Sequence, residues 1–336
     1  MPDALSLEQA KSQWLDLIER LESEEVALLE ATGRVLAADA VSDIDLAPFD
    51  HSAMDGYAAR AADLASASAE APRSLEVIAH IAAGDWCQVE VRPGTAARIM
   101  TGAPVPPGAD TVVKVEDTTV VSGSGSVGSI VRFTHAALPG AHIRLKGGDA
   151  RQGEVVLHAG VCLDPAAIGL LASTGHARVA VYRRPRVGVL STGSELVPVE
   201  EVPGSGKIRN SNNYLISAQV IRAGGIPVAF PIVSDSFEAT KAALEQAAAT
   251  CDLVVTSGGT SVGDFDYIKP ALEAVGTRLR CDAEKRPGSP QVMGRIGAAP
   301  FFGLPGNPAS ASAGFETFVR PAIHKMWGKD TTREIA

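Results

Sequence analysis

The apolar run DLVVT (252–256) leads into Ser257, Gly258, Gly259, Thr260, Ser261, Val262, Gly263 and Asp264, with a helical pattern beyond. Glycines without a Cβ let backbone N–H groups approach an anion closely, and the N-terminus of a following helix adds a favourable dipole. Phosphate suits such a loop, although a tight turn capped by Asp264 would use the same residues. It is not a P-loop, because the nearest Gly-Lys pair, Gly206-Lys207, is followed by Ile208 and has Glu201 where the upstream glycine belongs. The segment Gly259 to Gly263 also reads G-x-S-x-G, the pattern of a hydrolase nucleophile. Several residues separate Ser261 from the strand, however, and the one histidine after it is His324, far along a helical stretch.

Acidic residues recur at the ends of neighbouring apolar runs: Glu195 after RVGVL, Asp235 after IPVAFPIV, and Asp264 and Asp266 after DLVVT. Each alone is an ordinary cap or loop charge. Brought together beside a phosphate loop, they make an oxygen-donor site for Mg²⁺, which characteristically uses one or two carboxylates plus substrate phosphates. The residues thus point to Mg²⁺-assisted chemistry on a phosphorylated ligand. A second glycine pattern, Gly123, Gly125 and Gly128 in SGSGSVGS, has strand-like sequence on both sides and no helix after it, so it reads as a hairpin loop rather than a dinucleotide fingerprint.

The elements that must position these groups follow from hydrophobic periodicity. Residues 5–30 read as an amphipathic helix with Leu7, Trp14, Leu15, Ile18 and Leu21 on one face. From about residue 43, short β-like runs punctuated by Gly and Pro predict a small antiparallel β-domain. From about 185, the runs RVGVL, IPVAFPIV and DLVVT alternate with helical stretches at 212–225, 236–250 and 265–276. That order is βαβαβα and predicts a parallel sheet with right-handed crossovers. A hairpin and a buried strand are expected over 277–304, then a last helix over 308–326. Ligands of such sheets bind beyond the carboxyl ends of the strands, so STGSE, VSDS, TSGGTSVGD and LPGNPAS should meet in one crevice.

Composition narrows the class. The 336 residues exceed one usual domain, and 46% hydrophobic with 21% charged residues excludes disorder and fibrous repeats. A net charge of −9 argues against a nucleic-acid backbone as partner. The apolar runs are strand-sized and the first residues lack the basic and apolar segments of a signal peptide, which leaves the cytoplasm as the expected location and no membrane partner. Cys87, Cys162, Cys251 and Cys281 form no C-x-x-C pair, as expected of reduced thiols.

Six longer motifs resemble one family: FDHSAMDGYAAR (49–60), RIMTGAPVPPGADTVVKVED (98–117), RLKGGDARQGEVVL (144–157), RVGVLSTGSELV (186–197), TSGGTSVGDFDYIK (256–269) and GLPGNPASA (303–311). They are similar, in order, to the MoeA/gephyrin E-domain type of molybdopterin molybdenumtransferase. The resemblance implies an α/β multidomain chain. Its parts would be a helical, elongated domain at 1–44 and 138–178, an inserted β-rich domain at 45–137, and a molybdopterin-binding α/β domain at 179–330 with a mostly parallel sheet. It further implies a homodimer whose site lies between the α/β domain of one subunit and the insertion of the other. The implied reaction is insertion of molybdate into adenylated molybdopterin, with Mg²⁺-assisted cleavage of the pyrophosphate and release of AMP. Implied partners are a molybdopterin adenylyltransferase and apo-molybdoenzymes.

Carried over by position, Asp55, Asp149, Glu195, Asp235 and Asp266 match the family's functional acids, with Glu195, Asp235 and Asp266 expected at the metal. Thr101, the loop residues Ser257 to Ser261, Gly263 and Asp264, and Arg286, Ser289, Pro305, Gly306, Asn307, Pro308 and Ser310 are expected to bind the ligand. Three departures stand out. The family's G-E-D is Gly147-Gly148-Asp149 here, its Y-D-[ST]-N is Arg209-Asn210-Ser211-Asn212, and its K-P-G-K-P is Arg286-Pro287-Gly288-Ser289-Pro290. Ser289 in place of a lysine would cost a molybdate oxyanion one charge-assisted partner, worth about 1.5–3 kcal/mol. The family also continues past FVRPAIHKMWG into a small β-rich domain, whereas this sequence stops at Ala336, as a truncated chain or a shorter homologue would. These departures keep open a second reading, a molybdopterin-binding carrier or chaperone that no longer inserts metal. The related adenylyltransferase shares the α/β domain but lacks the SAMDGY insertion.

Overall fold

The computed structural model describes residues 6–259, 267–279 and 291–329. The chain forms two compact units, one of Met1–Ala38, His158–Ile168 and Arg178–Ala336, the other of Asp39–Leu157 and Gly169–Ala177. The first helix, α1 (Leu7–Asp16), opens with a capping box: Ser6 Oγ accepts from Gln9 N and Gln9 Oε1 accepts from Ser6 N. Its Trp14 is fully buried, donates from Nε1 to Phe318 O at 2.9 Å and meets the Phe302 ring edge-on. The helix ends at Asp16 rather than near residue 30. Leu17, Ile18 and Leu21 keep the apolar spacing but pack on the core from an irregular turn tied by Leu21 N to Met326 O, and Ser23–Ala27 is a strand antiparallel to Arg178–Tyr182. Periodicity continued past the helix because the core did.

The second unit holds a six-stranded sheet of β1 (Gly56–Ala59), β2 (Arg73–Ile81), β3 (Thr95–Ile99), β4 (Thr111–Lys114), β5 (Thr118–Ser122) and β6 (Ile130–Phe133), in the order β4-β1-β3-β2-β6-β5. It is not wholly antiparallel, since β2 and β3 run parallel through the crossover at 82–94. The SGSGSVGS segment is the loop of the β5–β6 hairpin, with Gly123, Gly125 and Gly128 all at positive φ.

After helix α2 (Pro165–Ser173), the α/β unit runs β7 (Arg186–Ser191), α3 (Ser211–Arg222), β8 (Ile226–Ala229), α4 (Phe237–Thr250), β9 (Leu253–Ser257), α5 (Ile268–Val275), β10 (Thr277–Leu279), β11 (Val292–Ile296), β12 (Ala299–Leu304) and α6 (Pro308–Gly314). A π turn then joins α6 to a helical segment ending at Met326. The sheet order is β8-β7-β9-β12-β11-β10. The first four strands are parallel, β11 runs against β12 and β10 against β11, so β11 alone is reversed and the sheet is mixed. Strand alternation fills both faces: Leu253, Val255 and Phe302 enter one core with Trp14 and Phe315, while Val254 and Phe301 enter the other with Leu244 and Leu272. At the strand starts, Arg183 donates to both oxygens of Asp252 at 2.7 Å, and Asp252 also accepts from Arg186 N, clamping the beginnings of β7 and β9.

Candidate active site

The carboxyl ends of the parallel strands do converge. Beyond β7, Thr192 N donates to Ser257 O at the end of β9, and Thr192 bridges in parallel to Val233 beyond β8. Ser194 N donates to Asp235 Oδ2 at 2.7 Å, joining STGSE to VSDS through the Asp235 carboxylate. Gly258 N donates to Leu304 O, joining the β9 loop to β12. Gly258 lies at φ +89, and a Cβ there would stand 2.8 Å from Thr192 O, so this close approach of two backbones demands glycine.

The LPGNP turn completes the crevice. Pro305 is buried, Gly306 is exposed, and Pro308 starts α6. Asn307 caps that helix, its Oδ1 accepting from Ala309 N and Ser310 N at 3.0 and 3.2 Å. Asn212, in the first turn of α3, donates from one amide group to Ser257 Oγ at 2.7 Å and to Gly306 O at 2.8 Å. One side chain therefore ties three elements together. Between them lies a cleft of about 90 Å³, lined by Ser191, Thr192, Glu195, Arg209, Asn212 and Gly258 among others.

Of the expected site residues, Glu195, Ser257, Gly258, Gly306 and Pro308 line this cleft, and Asp235 is held one residue from Glu195 by its bond to Ser194. Gly259 follows Gly258 at positive φ. Thr260, Ser261, Gly263, Asp264, Asp266, Arg286 and Ser289 lie outside the described residues. In the other unit, Asp55 Oδ1 accepts from both the backbone N and the hydroxyl of Thr101 at 2.7 Å, and these bonds hold its carboxyl below the ordinary aspartate range. Asp149 is exposed on a turn fixed by its N–H to Leu46 O. Sequence reasoning missed Thr192, Lys207, Arg209 and Asn212 as site residues. Lys207 Nζ donates to Ser194 O, and Arg209 follows on a short strand whose partner, Leu196–Val197, is itself part of the crevice rim. The available signal was the RNSNN segment (209–213), whose polar residues open α3.

Among the described residues, no three His, Cys, Asp or Glu side chains gather as a metal cluster. Glu195 nonetheless offers hard oxygen donors on the cleft wall, and Asp235 does so from the loop bonded to Ser194. That donor chemistry fits Mg²⁺, which binds through one or two carboxylates and completes its shell with phosphate and water.

An α/β unit whose crevice lies beyond the carboxyl ends of its parallel strands belongs to the class of ligand-binding open-sheet domains. The family model described as "MoeA N-terminal region (domain I and II)" matches residues 5–175, and the "Probable molybdopterin binding domain" matches 188–325. Proteins named molybdopterin molybdenumtransferase from Nostoc sp. and Bacillus subtilis are each 40% identical, over 93% and 94% of this chain and 72% and 73% of their own. The crystal structure of a molybdopterin biosynthesis MoeA protein from Pyrococcus horikoshii superposes with a TM-score of 0.83 at 33% identity, covering 97% of this chain and 81% of that one. The chain belongs to the molybdopterin molybdenumtransferase family.

Proposed function

We propose that this chain is a transferase of molybdenum cofactor biosynthesis that inserts molybdate into adenylated molybdopterin and releases AMP. The observation that carries the reading is the strand-end crevice, where Glu195 lines one cleft with Gly258 and Asp235 is bonded to the neighbouring Ser194, inside the segment matched by the molybdopterin-binding family. Molybdopterin and molybdate are the substrates. The carrier reading is not favoured, because the matched relatives are named as transferases over most of their length.

In this reading the backbone at Gly258 and Gly259 approaches the phosphates, while Lys207, fixed on Ser194 O, supplies a nearby cation. Glu195 and Asp235, with Asp266, would hold Mg²⁺, which supplies charge neutralisation on the bridging oxygens during pyrophosphate cleavage. Asp55 is kept ionised by the two Thr101 hydrogen bonds and presents a fixed negative charge from the inserted domain. A homodimer in which that domain and Asp149 face the partner's crevice accounts for acids on both units. In this reading the chain works in the cytoplasm. Among the described residues no helix is long and apolar enough to cross a membrane. The test is to incubate the purified chain with adenylated molybdopterin, Mg²⁺ and molybdate and follow AMP. Release is expected, and Asp266→Asn abolishes it. Tight molybdopterin binding without AMP release would refute the transferase reading.

A further inference from the structure

A second cavity of the α/β unit lies at the opposite end of the parallel strands from the candidate active site. It measures about 300 Å³, near the lower limit of small-molecule sites, against about 90 Å³ for the strand-end cleft. The same strands border both. Arg183 and Asp252, which precede β7 and β9, line the cavity, whereas Ser191 and Ser257, the last residues of those strands, line the cleft. At about 3.3 Å per residue, strands of this length keep the two sites roughly 17–20 Å apart. Part of the cavity wall is apolar, built from Leu17 and Leu21 in the turn after α1, Ala299 and Pro300 at the start of β12, and Met326.

Six charged groups share the remaining wall: Glu19, Arg20, Glu22, Arg183, Asp252 and Arg295. They cancel as a set, so the choice of ligand depends on which of them are already engaged. Arg183 is engaged throughout, donating from Nε to Glu22 and from both terminal nitrogens to Asp252. Arg295 is not. It donates from Nη2 to Ala298 O at 3.1 Å, and its Nη1 has no partner among the described residues. Its ion-pair partner, Glu19, stands 3.7 Å from Nη2, beyond hydrogen-bond range, with its side chain 83% exposed. A pair this open is held weakly. Arg20 adds a second cation, its guanidinium lying 5.1 Å from the centre of the Tyr182 ring and donating once, to the Tyr182 hydroxyl.

A guanidinium fork matches a carboxylate through two parallel hydrogen bonds. Glu19 shows that a carboxylate approaches Arg295 at this place without closing those bonds, and a ligand able to close them would displace it into water. The apolar wall beside Arg295 calls for an apolar body on the same ligand. We propose that this cavity binds a small monocarboxylate with an apolar body, its carboxylate on Arg295 and its body against Leu17, Leu21 and Met326. The volume equals about ten waters at roughly 30 Å³ each, which admits a body and carboxylate of about ten non-hydrogen atoms. The site is independent of the molybdopterin reading, which concerns the other end of the sheet.

Phenylacetate has this size and chemistry, and a ligand-observed NMR titration of the full chain reads its affinity. Arg295→Gln should weaken phenylacetate about tenfold, and Glu19→Gln, which removes the competing carboxylate, should strengthen it about threefold. Phenylacetamide lacks the charge and inorganic phosphate lacks the apolar body, so each should bind at least about tenfold more weakly than phenylacetate. Ala248→Phe fills the cavity from α4 and should abolish binding with Arg295 in place, whereas Asn212→Ala, at the strand-end cleft, should leave it within about twofold. The proposal falls if phenylacetate does not bind, if it binds no better than phenylacetamide or phosphate, or if Ala248→Phe binds it as the wild type does. It falls equally if Arg295→Gln weakens binding only while melting several degrees lower and Glu19→Gln gives no gain, since Arg295 would then serve the β11–β12 turn alone. AMP release tests the crevice separately, so either idea can fail without the other.

Discussion

Replacing Gly258 by alanine tests whether the crevice depends on one backbone conformation. The residue sits at φ +89, where an L side chain costs about 1–2 kcal/mol. The new Cβ would also meet Thr192 O at 2.8 Å, and that atom is backbone in a bridge to Val233, so it cannot swing aside. Relief requires the Gly258 N to Leu304 O hydrogen bond to lengthen or the STGSE loop to shift, which adds about 1 kcal/mol. The expected total of about 2–3 kcal/mol lowers melting of the α/β unit by roughly 5–10 °C. Because Gly258 lines the cleft, and in the proposed reading approaches the phosphates, AMP release should fall by a larger factor than stability alone predicts, up to about a hundredfold if the loop shifts by about 1 Å. Differential scanning calorimetry and the AMP assay read both effects. Gly169→Ala is the control: nothing lies within 4 Å of the added methyl and the residue is inside α2, so it should raise stability by about 0.5–1 kcal/mol. A Gly258→Ala protein with wild-type melting and wild-type AMP release would refute the strained-turn argument.

Other expectations rest on separate contacts. Asn212→Ala removes two donations, and a double-mutant cycle with Ser257→Ala should return a coupling of about 0.5–1.5 kcal/mol in urea unfolding; strict additivity would contradict the 2.7 Å bond. Asp252→Asn should cost about 2 kcal/mol, below the figure for a fully buried pair because Asp252 and Arg183 are 19% and 27% exposed. Burial alone would raise the Asp252 pKa, but the Arg183 hydrogen bonds and the Arg186 N–H more than offset it and the net shift is downward. Its stabilisation is therefore complete above the unfolded-state value near 4 and is lost as pH falls through the lower folded value, so the stability gap to Asp252→Asn should close in acid and stay constant from about pH 5 to 8. Asp55→Asn should cut AMP release about a hundredfold with an unchanged circular dichroism spectrum, and Thr101→Val about tenfold; an active Asp55→Asn would remove that carboxylate from the mechanism.

The α/β unit was legible because its strands are buried on both faces. RVGVL and DLVVT are short, continuous apolar runs bounded by polar loops, and helical stretches separate them, so order and approximate limits follow from pattern alone. The first helix was legible at its start, where Ser6 and Gln9 form the cap, and illegible at its end. Leu17, Ile18 and Leu21 are apolar for the sake of a core that is completed by Phe318 and Met326, some 300 residues away. Periodicity reports which residues are buried, and it identifies a helix only while one element does the burying. The parallel pairing of β2 with β3 was hidden for a related reason. Strand composition does not encode direction, and the crossover at 82–94 has no helical pattern to announce it.

Within the site, the residues that sequence reasoning found are those whose chemistry is visible one at a time: glycines that allow close approach and carboxylates at strand ends. Those it missed act through relations between distant segments. Asn212 reads as an ordinary polar residue at a helix start, yet its two hydrogen bonds reach partners 45 and 94 positions away. Bonds between segments so far apart leave no periodicity in the chain, and only the folded arrangement of α3, β9 and the LPGNP turn brings them into view.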